Sequence, residues 1–182
     1  LATYIHERVC NFDEFEKLNT IQEPNVNTSG EFLFVKINKC KNVRKSLIIG
    51  NVYRSPSRNP NQFIELLENT LHNLDRHRNK HILLLGDFNF DLIKHDLDLN
   101  CQNLIDSTSN HGFIQIISRP TRVTDHSATL IDHVYSNKIC NVLSSSVITF
   151  DISDHLATLT TISLDANFDN SQRPTNRRNN TE

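Results

Sequence analysis

Short apolar segments separated by polar turns run along most of the chain and predict β-strands. Each segment is bounded by polar residues and is rich in Val, Ile, Leu or Phe, as strands are. The segments are residues 2–6, 31–38, 46–53, 82–85, 113–117, 129–136, 147–151 and 155–164. Polar and apolar residues alternate in the middle of the last segment, which predicts a half-buried strand.

Two other segments have the apolar spacing of amphipathic helices. Asn59 and Pro60 start the first helix, because Asn caps a helix and Pro suits its first turn. The basic run at residues 76–80 ends it favourably. The second helix covers residues 99–111 and ends before Gly112. Helices therefore occur singly between strands, which predicts an α/β or α+β domain with a mixed sheet.

Composition narrows the class of protein. The chain has 182 residues, a net charge of −2 and a mean hydropathy of −0.44, as expected for a polar globular domain. No apolar run approaches the ~20 residues of a membrane span, so no membrane partner is expected. The charge excludes a uniformly basic nucleic-acid binder, although a local patch can still bind phosphate. The four cysteines lack metal-ligand spacing, which predicts free thiols in an intracellular protein, nuclear or cytoplasmic, without a zinc site.

Polarity also divides the chain. We expect one domain over residues 1–164 and a polar, Asn-rich linker or tail over residues 165–182. Polar loops are predicted at residues 19–30 and 118–128. The chain contains no Met, and its first residues already have the pattern of a strand, so we expect a fragment, a processed product or an excised domain.

The segment after the predicted strand 82–85 carries the strongest chemical signal. Asp87 and Asn89 follow Gly86 in the sequence GDFN. If the backbone stays extended there, residues two apart project to the same side, so a carboxylate and an amide could together hold a water molecule and accept its proton. An Asp turn that hydrogen-bonds its own backbone is the simpler explanation of these four residues alone.

Other positions could complete such a site. Asp132 lies in an apolar strand, where a carboxylate is costly to bury unless it is paired. At a turn, Asp154 would offer Mg²⁺ a hard oxygen ligand, and His155 could contact or protonate a phosphoryl oxygen with Asp132 orienting its ring. Tyr53 ends a strand just before a turn. Each position also has an ordinary explanation: an edge strand with Asp132 in water, a solvated Asp-His turn, and a packing role for Tyr53.

Four short motifs together resemble one superfamily. NVYRSP, LLLGDFNFDL, ATLIDHVYSN and ISDH occur in the order found in the endonuclease/exonuclease/phosphatase superfamily. SRPTRVT followed by HSATLIDHVYSN is similar, more narrowly, to the endonuclease domain of non-LTR retrotransposons of the Jockey and CR1 type. The resemblance covers most of residues 1–164. It implies an α+β fold of two stacked mixed β-sheets flanked by helices, a four-layer α/β/β/α sandwich that is incomplete at its N-terminus.

The resemblance also implies a reaction. The retrotransposon endonucleases that this chain resembles nick double-stranded DNA with Mg²⁺ or Mn²⁺. A reverse transcriptase domain in the same polyprotein then extends the 3′-hydroxyl at the nick. Asp87 and Asn89 would activate the attacking water, Asp132 would pair with His155, Asp154 would bind the metal, and Tyr53 would contact the scissile phosphate. Positions that would contact the DNA backbone are Thr129 and Ser153.

Basic residues near the predicted strand ends could bind DNA. Arg54 follows Tyr53, and Arg119 and Arg122 lie in the predicted loop 118–128, where the resemblance implies a DNA-contacting hairpin. We therefore expect these three arginines to contact phosphates. Solvated surface charge is the alternative.

Two family features cannot be placed in the sequence: a first strand that carries an Asn, and a segment that carries a metal-binding Glu. We therefore expect about the first third of the domain to be absent, the chain alone to be poorly active, and apolar faces at Ile48, Leu83 and Leu85 to be exposed. The alternatives to a retrotransposon endonuclease are an inactive remnant with weak DNA binding, or another phosphodiesterase or phosphatase of the superfamily.

Overall fold

A mixed six-stranded sheet forms the centre of this computed structural model, which describes residues 1–11, 14–18, 29–41, 45–149 and 153–164. In chain order the elements are β1 (Phe15–Leu18), β2 (Glu31–Ile37), β3 (Leu47–Tyr53), α1 (Pro60–Leu74), β4 (His81–Asp87), α2 (Leu99–Asn110), β5 (Ile114–Gln115), β6 (Arg122–Thr124), β7 (Ser127–Thr129), β8 (Asp132–Ser136), β9 (Val142–Ile148) and β10 (Ala157–Ile162). The strand order of the central sheet is β1-β2-β3-β4-β8-β5. Strands β3 and β4 are parallel, and the other neighbours are antiparallel.

Both helices cover one face of the central sheet. As predicted, α1 starts at Pro60, and the Asn59 side chain accepts hydrogen bonds from the main-chain N–H groups of Asn61 and Gln62. Apolar residues of α1, α2 and the sheet then form one core, including Phe34, Ile48, Val52, Phe63, Leu67, Leu71, Leu84, Phe88, Leu104 and Tyr135. Burial of each such side chain contributes about 1.5–3 kcal/mol. The α+β class is confirmed.

The opposite face of the sheet is covered by the two-stranded sheet β9–β10 and by the N-terminal segment. Ile37, Leu47 and Leu83 pack there against Ile5, Ile162 and other apolar residues. The expectation that Ile48 and Leu83 are exposed is wrong, because Ile48 is buried under the helices with 0% of its surface accessible and Leu83 is buried on this face with 8%. Leu85 is half-buried. The four cysteines are free, as expected. Neither helix of the described residues has the length and apolar character needed to cross a membrane.

Several predicted elements have different bounds. Residues 2–6 form no strand: Ile5 packs on the sheet face, and the segment does not pair within the sheet. The predicted loop 118–128 contains the hairpin β6–β7, and the predicted strand 129–136 is divided between β7 and β8. Strand β9 begins earlier than predicted, at Val142. Residues 19–28, 150–152 and 165–182, which include most of a predicted loop, the end of a predicted strand and the predicted tail, lie outside the described residues.

Gly86 allows β3 and β4 to approach each other. It has a φ of +142°, and a Cβ added there would lie 1.9 Å from the main-chain oxygen of Val52 in β3. We expect Gly86→Ala to lower the free energy of unfolding by about 3 kcal/mol or more, through this clash and a disfavoured φ. Gly112→Ala is the matched control, because Gly112 also has a positive φ but its Cβ would meet nothing within 4 Å. Urea unfolding of both variants measures the difference, and equal losses would contradict this account of Gly86.

Candidate active site

Three candidate side chains lie in one row across adjacent strands. Tyr53 of β3 is in register with Asp87 of β4, and Asp87 is in register with Asp132 of β8. Directly opposed residues project to the same face of a sheet. Because β8 runs antiparallel to β4, its first residue meets the last residue of β4 at this edge. The sheet thus brings together three residues that are far apart in the sequence.

The GDFN segment turns instead of remaining extended. Asn89 has a φ of +52°, and its main-chain N–H donates a hydrogen bond of 3.0 Å to Oδ1 of Asp87. The Asn89 Nδ2 group donates to the main-chain oxygen of Arg54 at 2.7 Å, which leaves Oδ1 of Asn89 as an acceptor. The backbone is therefore not extended here, and of the two explanations of GDFN the Asp turn is the one that the structure has. An Asp turn places the carboxylate and the amide side by side instead.

Burial and charge raise the pKa of Asp87. Desolvation is the larger cause, and the neighbouring Asp132 carboxylate adds to it; hydrogen bonds from Asn89 and the nearby His155 oppose both. A raised pKa makes a carboxylate a stronger proton acceptor. The position of Asp87 therefore suits proton transfer better than that of a solvent-exposed Asp.

Asp132 and His155 are in contact. Nδ1 of His155 lies 3.0 Å and 3.2 Å from the two carboxylate oxygens of Asp132. This contact fixes the ring and leaves Nε2 as the nitrogen that can meet another group. Asp132 is half-buried and paired, and β8 lies inside the sheet, so the alternative of an edge strand with Asp132 in water is excluded.

Thr121 holds the start of β8, although no sequence pattern singles it out. Its buried Oγ1 accepts hydrogen bonds from the main-chain N–H groups of Ile131 and Asp132. Its main-chain oxygen accepts a hydrogen bond from Leu156, which ties the segment after His155 to the same region. A Thr in a predicted polar loop carries no periodic signal, so sequence reasoning could not identify this contact.

Asp154 lies beside the site and pairs with Arg122. Nε of Arg122 donates to Oδ2 of Asp154 at 2.7 Å, and both side chains are largely exposed. This hydrogen bond is the main reason why the pKa of Asp154 is lowered. Ser153 accepts a hydrogen bond from the His155 main-chain N–H. For Asp154 to act as a metal ligand, the oxygen that faces Arg122 would have to be released or the other oxygen used.

Arg54 does not lie where a DNA-binding residue would. Only 6% of its surface is accessible, and its guanidinium donates to main-chain oxygens of the segment that follows Asp87. The expectation that Arg54 contacts DNA phosphate is wrong for this reason. Arg119 and Arg122 remain exposed, and Thr129 is partly exposed at the end of β7.

His133 supports the site from within the core. It is fully buried, and Nε2 lies 2.9 Å from the main-chain oxygen of Phe90, while Nδ1 lies 3.2 Å from the hydroxyl of Tyr135. Nε2 therefore donates and Nδ1 accepts, in a neutral ring. The ring also stacks on Phe88, with centroids 4.9 Å apart. His133 was not selected from the sequence, and its apolar neighbours in LIDHVY were the only signal of a buried position.

Acid should destabilise the fold through His133. Burial lowers its folded-state pKa to about 4, whereas an unfolded His titrates near about 6.5. The unfolded chain therefore binds an extra proton between these values, so the contribution of His133 to stability is complete above about pH 6.5 and falls by about 3 kcal/mol as the pH approaches about 4. Burial also lowers the pKa of His81 to about 4, so His81 adds a loss in the same range and His133→Gln should reduce the slope without removing it. Urea unfolding across this range measures the slope. If His133→Gln, which keeps an N–H donor, left the slope unchanged, the assignment would be wrong.

Asp87, Asp132 and His155 form a group that fits a divalent cation. One ligand atom from each lies within 4.8 Å of the others, and all three residues are partly buried. Asp154 is not in this group. Mg²⁺ commonly binds through one or two carboxylates and keeps several waters. Two half-buried carboxylates at the edge of a sheet match that chemistry, with His155 already engaged by Asp132.

Comparison with known families decides the class of the protein. A family model described as endonuclease-reverse transcriptase matches residues 47–159, more than half of the chain. The chain belongs to this family. The match includes Tyr53, Asp87, Asn89, Asp132 and His155. The family lies in the endonuclease/exonuclease/phosphatase superfamily of hydrolases, so the predicted resemblance is confirmed. No curated protein matches the sequence.

Solved structures share the fold at low sequence identity. The endonuclease domain of TRAS1, a telomere-specific non-LTR retrotransposon, has a TM-score of 0.58 at 16% identity, over 73% of this chain and 64% of that chain. An endonuclease/exonuclease/phosphatase family protein from Bacteroides thetaiotaomicron has a TM-score of 0.60 at 14% identity, over 82% and 66%. D. rerio TDP2 complexed with a single-strand DNA product has a TM-score of 0.54 at 12% identity, over 82% and 67%. This chain thus spans 64% and 66% of the first two structures.

Proposed function

We propose that this chain is a Mg²⁺-dependent endonuclease that hydrolyses one phosphodiester bond of duplex DNA. The observation that carries the proposal is the meeting of the Asp87–Asn89 turn and the Asp132–His155 pair at one edge of the sheet. The first pair offers a proton acceptor and an amide oxygen, and the second offers a fixed imidazole. Hydrolysis of a phosphodiester needs a proton acceptor for the attacking water and a group that contacts the phosphoryl oxygens.

Each residue of the candidate site has a separate role in this proposal. Asp87 accepts a proton from the attacking water, and Oδ1 of Asn89 orients that water. Nε2 of His155 contacts a phosphoryl oxygen while Asp132 holds the ring, and Tyr53 lies in the same row beside the phosphate. Mg²⁺, held by Asp154 as the family resemblance implies and attracted by the nearby charges of Asp87 and Asp132, would polarise the phosphoryl group. Mn²⁺ could replace it.

The same comparisons support a biological setting for this activity. The matching family is described as endonuclease-reverse transcriptase, and one structural neighbour belongs to a retrotransposon. These descriptions support nicking at a genomic target, with a reverse transcriptase of the same polyprotein extending the 3′-hydroxyl. In that setting the protein would act in the nucleus after synthesis in the cytoplasm.

The choice of substrate tests the proposal. We expect the purified chain, used in excess over substrate, to convert supercoiled plasmid to the nicked circle with Mg²⁺ and not with EDTA. Single-turnover conditions keep even weak activity measurable. An aryl phosphomonoester, tested in parallel, should not be hydrolysed. Hydrolysis of the monoester alone would instead indicate a phosphatase, and DNA binding without nicking would indicate an inactive relative.

Contact with DNA should depend more on Arg119 than on Arg122. Arg119 is exposed and lines an open cleft beside β9, whereas Arg122 is already paired with Asp154. We expect Arg119→Ala to weaken binding to any duplex and to reduce the salt slope by about one unit, the value for one lost phosphate contact. Arg122→Ala should change the slope less, because a phosphate must first displace Asp154.

Fluorescence anisotropy across a salt titration measures these slopes. Arg76→Ala is the control, since Arg76 is exposed after α1, near the start of β4 and so at the end of that strand away from Asp87. Identical slopes for Arg119→Ala and Arg76→Ala would show that Arg119 is only surface charge.

A further inference from the structure

Arg54 is a buried cation enclosed by main-chain oxygens. Its guanidinium donates hydrogen bonds of 2.6–3.4 Å to four carbonyl groups, those of Ser55, Arg58, Phe88 and Asn89. Its Cζ atom lies 4.3 Å from the centroid of the Phe90 ring, a cation–π contact. No carboxylate in the described part of the chain is within ion-pair distance of Arg54.

The main chain of Arg54 contacts the same turn. Its N–H donates to the main-chain oxygen of Asp87 at 2.9 Å, and its carbonyl accepts the hydrogen bond from Nδ2 of Asn89 at 2.7 Å. Arg54 thus holds Asn89 at both ends: the carbonyl fixes the amide side chain, and the guanidinium fixes the main-chain oxygen at 2.6 Å. Asp87, Phe88 and Asn89 each make at least one hydrogen bond to Arg54.

This arrangement explains how Asn89 keeps an unfavourable backbone conformation. A positive φ is uncommon for residues other than Gly, and although Asn adopts it more readily than most, it still needs fixed surroundings to keep one conformation. Burial of a guanidinium without a carboxylate is also costly. Several main-chain acceptors in the right geometry offset that cost, and only the five-donor fork of Arg can reach them together. A Lys at this position has one donor group and cannot.

We propose that Arg54 is a positioning residue that holds Asn89 in its left-handed conformation and directs the Oδ1 atom of Asn89 towards the attacking water. The inference rests on the proposed nuclease function. It differs from a contact between Arg54 and DNA, because Arg54 is 6% exposed and its donors are occupied. It also differs from a simple packing role, because it requires that Arg54 act through Asn89.

A double-mutant cycle in single-turnover nicking tests this dependence. We expect Arg54→Lys, which keeps the charge, to slow the chemical step by about 100-fold, as for a reacting group displaced by about 1 Å. The DNA concentration at half-saturation and the salt slope should not change. In the Asn89→Ala background, Arg54→Lys should have little further effect, since the group that it positions is gone. Arg54→Met, which removes the charge, should behave as Arg54→Lys does.

Four results would overturn the inference. Equal slowing by Arg54→Lys in the wild-type and Asn89→Ala backgrounds would show that Arg54 acts independently of Asn89. An unchanged rate would show that the fork is not needed. A rise in the half-saturating DNA concentration with a smaller salt slope would show a contact with DNA. A nicking rate that Asp87→Asn leaves unchanged would refute the proposed function, and with it the role of Arg54.

A second measurement does not depend on activity. In the ¹⁵N-labelled chain, the side-chain amide of Asn89 should give shifted, protected signals that are lost in Arg54→Lys and Arg54→Met. The side-chain amide of Asn137, which donates to the main-chain oxygen of Lys80 at 3.0 Å at the other end of β4, should be unaffected. If the Asn89 signals persisted in both variants, Arg54 would not hold Asn89. If the Asn137 signals changed equally, a global loss of structure would replace the proposed local one.

Discussion

Replacing Asp87 with Asn should slow DNA nicking by about 10²–10⁴-fold, the usual contribution of a general base. The Asn side chain has nearly the same shape, and its oxygen can still accept the hydrogen bond that Oδ1 of Asp87 accepts from the Asn89 main chain at 3.0 Å. What is lost is the proton acceptor. Single-turnover nicking of supercoiled plasmid at saturating enzyme measures the chemical step separately from binding.

Stability and binding should not fall in the same variant. The pKa of Asp87 is raised mainly by burial and by the Asp132 charge, so the folded state disfavours the ionised carboxylate at neutral pH. Asp87→Asn removes that charge, and its free energy of unfolding should equal or exceed that of the wild type. Asp106→Asn, on the exposed side of α2, is the matched control and should nick normally. A fully active Asp87→Asn variant would rule out Asp87 as the base.

The second large effect should come from the pair formed by Asp132 and His155. We expect Asp132→Asn and His155→Gln each to slow nicking by about 10²–10⁴-fold, because the imidazole acts only while the carboxylate holds its Nδ1. Their effects should not add, as is usual for residues that act as a unit. The double variant should therefore be about as slow as the slower single variant.

The single-turnover nicking rates of the wild type, the two single variants and the double variant show whether Asp132 and His155 act as a unit. His72→Ala is the control, because His72 is exposed in the last turn of α1, outside the proposed site and the β6–β7 hairpin. Additive losses would mean that Asp132 and His155 act separately, although Nδ1 of His155 lies 3.0 Å from Asp132. Asp132 would then have a direct role, for example in holding Mg²⁺.

Local patterns in the sequence predicted the elements that form the core. Asn59 and Pro60 marked the start of α1, and the apolar run from Ile82 marked β4, because capping and burial depend on neighbouring residues. Only the family resemblance indicated the hairpin β6–β7, because all of its residues except Thr129 are exposed and no apolar alternation marks it. Residues 2–6 were misassigned because Ile5 packs on the face of the sheet while Tyr4 is exposed, so the segment does not pair as a strand.

The site was predicted in part for a similar reason. Asp87, Asn89, Asp132 and His155 stand out as polar residues beside apolar strands, and family resemblance indicated that they meet. An Asp turn was one of the two explanations of GDFN, but the contact of Asn89 with Arg54 could not be predicted, because the two residues are 35 positions apart in the chain. The pairing of Arg122 with Asp154 across 32 residues is equally a product of the fold.

The central claim is that water activated at Asp87 hydrolyses a phosphodiester. The most direct test of this claim is to find which product receives the oxygen atom of that water. A duplex oligonucleotide is cleaved by the chain with Mg²⁺ in ¹⁸O-labelled water, and the products are weighed by mass spectrometry, with Asp87→Asn as the background. Attack on phosphorus with loss of the 3′ oxygen predicts one ¹⁸O atom in a 5′-phosphate and an unlabelled 3′-hydroxyl. Label on the 3′ fragment, or cleavage no faster than that of Asp87→Asn, would contradict the account.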